Sequence, residues 1–330
     1  MRAGGALLAL WCLVAGVGLC ASARAQAPAA FPATGAPRTS VAMPGTTPSF
    51  LQPGVKPDLA FGALQRGYFL TAFREAMKRV EADDKDGAAM TILGELYRDG
   101  LGVRTDVGEA ARWYRLAAER GDVGGSFALA LAYLQARGVP RDRDAARALL
   151  EKAAAQNHMG ALYNLGLMAA EETPPDFTKA AAYFQRASDL GAADASYALA
   201  ILYKEGHGVP ADGAQSVRLL RIAAGEHILA AEVDLGIAYF NGEGVEKNAS
   251  LAASYFRRAA NANNPIAANR LARILAAGAG VPQDLIEAMK WHVLARAAGL
   301  TDEWLDGQLA NLSPEQRAAV DAAVKRQVSQ

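Results

Sequence analysis

From Asp58 onward, apolar residues fall three and four positions apart, the spacing of one helix face. The stretches "DLAFGALQRG" and "YFLTAFREAMKRVEADD" both show it, and Gly67 separates them, so 58–86 reads as a helical hairpin. No segment alternates apolar and polar residues as a half-buried strand does. Beyond this hairpin the pattern becomes periodic. A small residue stands mid-helix in each of six copies, Gly94, Ala130, Gly166, Ala200, Gly236 and Ala272, at steps of 36, 36, 34, 36 and 36. Three residues on come Tyr97, Tyr133, Ala169, Tyr203, Tyr239 and Leu275. A second helix carries Ala110, Ala146, Ala180, Ser216, Ala252 and Ala288, at steps of 36, 34, 36, 36 and 36. Each is followed by a large pair, from Trp113-Tyr114 and Leu149-Leu150 through Tyr183-Phe184, Leu219-Leu220 and Tyr255-Phe256 to Trp291-His292.

Every copy is therefore a helical hairpin. Small residues let two helix axes approach to the short end of about 8–10 Å, and the large pair closes the contact. One hairpin cannot bury its own apolar face, but six stacked hairpins can. The expected fold is all-α, a right-handed α-solenoid of about six helical-hairpin repeats over 87–300. The 58–86 hairpin is expected to cap one end and helices in 301–330 the other. Ser313, Pro314 and Gln316 supply the signals of a capping box at the start of the last helix.

Between the helices a Gly-x-Gly-Val unit returns: "GLGV" at 100–103, "GHGV" at 206–209, "GEGV" at 242–245, "GAGV" at 278–281, and a weaker "ARGV" at 136–139. A Gly-x-Gly turn can cradle a phosphate, but no strand precedes these glycines and no Gly-Lys-Ser/Thr follows, so both nucleotide fingerprints fail. They read instead as helix ends. Glycine accepts the left-handed backbone there, the Val packs inward, and Pro140, Pro210 and Pro282 stop the helix.

The string "ILGELYRDGLGVRTDVGEAARWYRLAAERGD" and its five copies resemble the Sel-one-like repeat (SLR) family, relatives of the tetratricopeptide repeats. The resemblance covers about 87–300 and is specific, because spacing, glycine loops and small pairs recur together. The third copy, "MAAEETPPDFTKA", departs by losing the glycines and two loop residues, and the second is degraded at Ala136 and Leu149-Leu150. The family implies a curved scaffold that binds other proteins. Exported bacterial members look like regulators, adaptors or cell-envelope factors.

The N-terminus adds a compartment. Arg2 precedes an apolar run from Ala6 to Cys20 and then "ASARA", so 1–25 reads as a signal peptide cut after Ala25. An uncleaved anchor over Ala3–Ala23 is the alternative. Leu19 before Cys20 argues against lipidation, which needs a small residue there. Residues 26–57 hold seven prolines among Ala, Thr, Ser and Gly and read as a disordered tether. Cys12 and Cys20 are the only cysteines, so the mature chain would have no disulfide, thiolate metal site or cysteine nucleophile. Formal net charge is +0 and 52% of residues are apolar, which excludes a disordered chain and gives no bulk attraction to nucleic acid.

Candidate chemistry is sparse. His158, His207, His227 and His292 form no metal-binding spacing, and no catalytic, metal or cofactor site is expected. Asp83-Asp84, Glu171-Glu172 and Asp302-Glu303 are expected at helix ends as solvated charge rather than as an acid–base pair. No Gly-x-Ser-x-Gly elbow is present. By analogy with tetratricopeptide repeats, first-helix residues would line a groove: Thr91, Glu95, Phe127, Leu131, Tyr163, Leu167, Tyr197, Ile201, Val233, Ile237, Asn269 and Arg273. Large residues at helical spacing are usually core, so Phe127, Tyr163 and Tyr197 also fit ordinary packing between helices. The expectation is an exported, periplasmic, non-enzymatic scaffold whose partners are cell-envelope proteins. The alternatives are a peptidoglycan-acting enzyme or activator of one, and a glycan- or small-solute-binding module.

Overall fold

In the computed structural model, which describes residues 58–329, every element is α-helical. The expected signal peptide and tether lie outside the described residues. The chain divides into two compact units, up to Gln156 and from Asn157.

The first unit holds α1 (Leu59–Gln65), α2 (Phe69–Ala82), α3 (Gly87–Asp99), α4 (Val107–Glu119), α5 (Val123–Gln135) and α6 (Arg143–Ala155). Consecutive helices pack, and α3 also touches α5, so two hairpins stack on the capping hairpin. Ala60, Ala63, Ala72 and Ala76 of the cap join Ala89, Ile92, Leu93 and Leu96 of α3 in one core, with Val103 packed against it from the loop. Arg79 closes the seam, donating from Nε and Nη2 to Asp86 at 2.8 and 2.9 Å and pairing with Asp58 at 2.7 Å.

The second unit runs through α7 (Met159–Ala170), α8 (Phe177–Asp189), α9 (Ala193–Glu205), α10 (Gly213–Gly225), α11 (Leu229–Asn241), α12 (Ala249–Asn261), α13 (Pro265–Ala277) and α14 (Leu285–Ala297) to the short α15 (Glu303–Ala310) and α16 (Pro314–Val328). Here α7–α14 make four hairpins. Helix α16 lies against α14, and α15 touches both α13 and α14. Ser313 caps α16 in a reciprocal box with Gln316.

Three local devices build each repeat. The first is the small mid-helix residue. A Cβ at Gly94 would strike the Tyr114 ring, one at Gly166 the Phe184 ring, and one at Gly236 the Phe256 ring. Where the small residue is Ala130, Ala200 or Ala272, the equivalent partner position holds Leu150, Leu220 or His292, all buried. The second is the glycine loop. Gly100, Gly206, Gly242 and Gly278 end first helices in the left-handed region, as expected, and Ala136 is forced into the same conformation at φ 53°. The later glycine of the unit does something the sequence does not advertise. A Cβ on Gly208 would collide with the Phe177 backbone, and one on Gly138 with the Val107 carbonyl, so the loop rests directly on the second helix of the preceding repeat. The third is the cap of each second helix. Asp106, Asp142, Asp176, Asp212, Asn248 and Asp284 accept hydrogen bonds from backbone N–H groups of the first turn. Their own N–H groups reach back to first-helix carbonyls, for example Asn248 to Tyr239 at 2.8 Å. The third repeat lacks the glycines, and α7 ends at Glu171 in right-handed backbone.

Candidate functional site

In the first unit Thr91 and Glu95 lie on α3, and Phe127 and Leu131 on α5, all half-buried. Thr91 Oγ1 donates to Asp122 Oδ1 at 2.7 Å, and that carboxylate also caps α5 through the Gly125 N–H at 2.6 Å. Adjacent first helices are thus tied along the expected face. Burial pushes the Glu95 carboxyl above its ordinary range, with Arg98 opposing.

The second unit repeats this tie. The Tyr197 hydroxyl on α9 donates to Asp234 Oδ2 on α11 at 3.0 Å, and Lys204 Nζ approaches the same carboxylate at 3.9 Å. Burial nevertheless raises the Asp234 carboxyl. Tyr163 on α7 sits 5.7 Å, centroid to centroid, from Phe184, and burial, with Asp194 adding, pushes its phenol up to about 12. Leu167 and Ile237 are half-buried, whereas Ile201 and Val233 are 8% and 7% exposed and belong to the packed interior rather than to an open lining. Asn269 and Arg273 on α13 both bind Asp302. Asn269 Nδ2 donates at 2.8 Å, and Arg273 donates from Nε and Nη2 at 2.6 and 2.9 Å.

Asp302 corrects the expectation of solvated charge. It is 7% exposed and caps α15 by accepting from the Leu305 N–H at 3.2 Å. Burial alone would raise its carboxyl, but the hydrogen bonds from Arg273, Asn269 and Leu305 outweigh it and hold the group at about 2. The histidines stay dispersed. His158 caps α7 through Nδ1, His207 stacks on Phe177 at 4.9 Å, His227 takes φ 61° in a turn, and buried His292 meets Asp306 at 2.9 Å. Among the described residues no group of three or more His, Cys, Asp or Glu side chains is placed to hold a metal ion. None of the described helices is long and apolar enough to cross a membrane.

At the C-terminal end of the second unit, the face deepens into a cavity of about 390 Å³. Ile237 and Phe240 of α11, Ile274 of α13 and Trp304 of α15 form its apolar wall, with Arg270 and Arg273 at its edge. A shallower polar recess continues from it past Asn269, Thr301 and Asp302. Trp304, Phe240 and Arg270 escaped the sequence reading because Phe240 and Arg270 lie outside the projected lining positions of their helices and Trp304 arrives from the cap. The signal that could have found Trp304 is its place two residues after Asp302, at the start of a short helix.

A family model described as Sel1 repeat matches residues 87–122, 125–158, 160–191, 193–225, 229–264 and 265–300. Among solved structures, a Sel1 repeat protein from Oxalobacter formigenes is 26% identical with a TM-score of 0.61, over 73% of this chain and 97% of that one. A protective antigen present in uropathogenic Escherichia coli strains, displaying an SLR fold, is 24% identical with a TM-score of 0.52, over 79% of this chain and 64% of its own length. That second likeness concerns the fold. Proteins built from these repeats are helical-repeat scaffolds for protein–protein interaction. The chain belongs to the Sel1 repeat family.

Proposed function

We propose that this chain is an exported scaffold that presents the first-helix faces of its repeats to proteins of the cell envelope. The observation that carries the reading is the state of those faces. Within each unit they hold half-buried apolar side chains beside carboxylates that burial has raised, Glu95 in the first and Asp234 in the second. A carboxylate kept partly desolvated opposes folding at neutral pH, and such local costs concentrate where a surface has work to do. Export is supported by the apolar run Ala6–Cys20 followed by the small-x-small pattern ending at Ala25. The Pro-rich stretch 26–57 would give the repeats reach from the point of export.

The test is in-cell crosslinking of the tagged chain, with mass spectrometry of what is captured. A reproducible envelope protein, lost when Tyr163→Asp and Leu167→Asp are introduced together, is the expected result. Capture that survives both changes would remove the face from the mechanism. The same preparation reports export directly, because a mature N-terminus at Gln26 is expected.

A further inference from the structure

The cavity beside Trp304 has features of a specific receptor rather than of a packing gap. At about 390 Å³ it falls at the small end of the range for ligand pockets, enough for one or two large side chains. Its wall is apolar and comes from four helices, α11, α12 through Phe256, α13 and α15. Trp304 is 43% exposed, and so held open to solvent, yet it is fixed in place. The Arg273 guanidinium lies 5.7 Å from its ring centroid and is itself gripped by both oxygens of Asp302. The charge of Arg273 is therefore spent inside the protein. Arg270, one helical turn away on α13, is different. It is exposed at the cavity edge and makes no hydrogen bond or ion pair among the described residues. Lys247 adds a second cation, its Nζ 5.6 Å from the Phe240 ring centroid. The carboxylates nearby are Asp302, taken by Arg273, Glu243, which accepts from Asn241 Nδ2 at 2.8 Å, and Glu303, exposed on the adjoining recess beyond Trp304. Next to the cavity, Ile266, 48% exposed, and Asn269 extend the surface as a shelf along which a chain can continue.

We infer that this cavity is a docking pocket for a partner polypeptide segment in which a large apolar side chain is flanked by acidic residues. The apolar side chain would enter between Ile237, Phe240 and Ile274 under Trp304, and the flanking carboxylate would pair with Arg270. An apolar anchor in a desolvated pocket provides most of the affinity of such contacts, and the charge at the rim selects the partner. A polypeptide is favoured over a small molecule because the cavity is not closed: the polar shelf leads out of it. The proposal rests on the scaffold reading above and narrows it to one partner chemistry.

The test is a display library of short peptides with a central Phe, Leu or Trp and acidic, uncharged or basic flanks, panned on the purified full chain. Selected sequences are then titrated by fluorescence polarisation. Acid-flanked apolar peptides should dominate. Arg270→Glu should weaken them about tenfold and shift the selection toward basic flanks. Trp304→Ala should weaken them about as much, with the helical circular dichroism of the chain retained. Equal enrichment of basic and acidic flanks, or binding indifferent to Arg270→Glu, would overturn the assignment. So would a shift in tryptophan emission on adding dodecanoate, absent in Trp304→Ala, with no peptide selected, which would make the pocket a lipid site. The two readings fail separately. Envelope proteins captured in cells without an acidic-apolar preference in the library would leave the scaffold standing and remove this pocket.

Discussion

Gly166 shows how much a single methyl group decides in this fold. Its missing Cβ is the space that the Phe184 ring occupies, and the same holds at Gly94 with Tyr114 and at Gly236 with Phe256. In the repeats that carry alanine instead, the partner side chain is Leu150, Leu220 or His292. Gly166→Ala should therefore cost about 2 kcal/mol by overpacking. Phe184→Leu alone should also destabilise, but added to Gly166→Ala it should recover much of the loss. Urea titration of the four proteins in a double-mutant cycle gives the coupling, expected at about 1–2 kcal/mol and of rescuing sign. Strict additivity would show that the pair does not set the helix spacing. Ala136 gives a converse case. It ends α5 at φ 53°, where its sister positions have glycine. Ala136→Gly should stabilise the first unit by about 1 kcal/mol, read as a higher urea midpoint with an unchanged slope. His227, at φ 61° in a turn where Gly121, Gly191 and Gly299 stand in other copies, is a second site of this type.

Among the elements, α15 is the one whose attachment depends most on charge. It is too short to hold itself by helix propensity. Asp302 ties it to α13 through Arg273 and Asn269, and Asp306 ties it to α14 through His292 at 2.9 Å and Arg296 at 3.1 Å. The folded Asp302 carboxyl, at about 2, lies below its ordinary 3.8. Its ionised form therefore favours folding, fully above the ordinary value, and that contribution fades as pH falls through the window from 3.8 toward 2. Asp302→Asn should melt at a lower temperature than the parent at pH 7, and the gap should narrow across that window. A gap constant down to pH 2 would mean that the ion pair contributes nothing to the cap. The caps of the second helices illustrate what sequence reading misses at this scale. Asp106, Asp142, Asp176, Asp212, Asn248 and Asp284 repeat at the same steps as Ala110 to Ala288, yet a polar residue in a loop draws no notice until its side-chain oxygen is seen at the backbone. The capping box at Ser313 was readable because its two partners are only three residues apart.

In the whole molecule the helices of each unit contact sequence neighbours and the next repeat, so stability is expected to be close to a sum of local terms. Gly208→Ala tests this. It places a Cβ at φ 69° against the Phe177 backbone, and strain and collision together should cost about 2–4 kcal/mol. Hydrogen exchange should quicken in α8, α9 and α10, while α14 and α16 keep their protection. Uniform loss across the second unit would show cooperative rather than nearest-neighbour unfolding. The hairpin pattern, the repeat length and the helix-ending glycine were all visible in sequence, because each rests on residues within one repeat. The resting of a loop on the preceding repeat at Gly208, and the entry of Trp304 into the face of α13, were not, since both depend on contacts across repeats or from the cap. The small mid-helix residue carries a last consequence. Glycine facing an aromatic ring occupies the first, third and fifth copies, and alanine the second, fourth and sixth. Each pair closes inside its own hairpin, so packing does not require the alternation. A block of two hairpins is therefore the unit that repeats with its pairing intact, which makes the double hairpin the natural cassette for shortening or extending this protein.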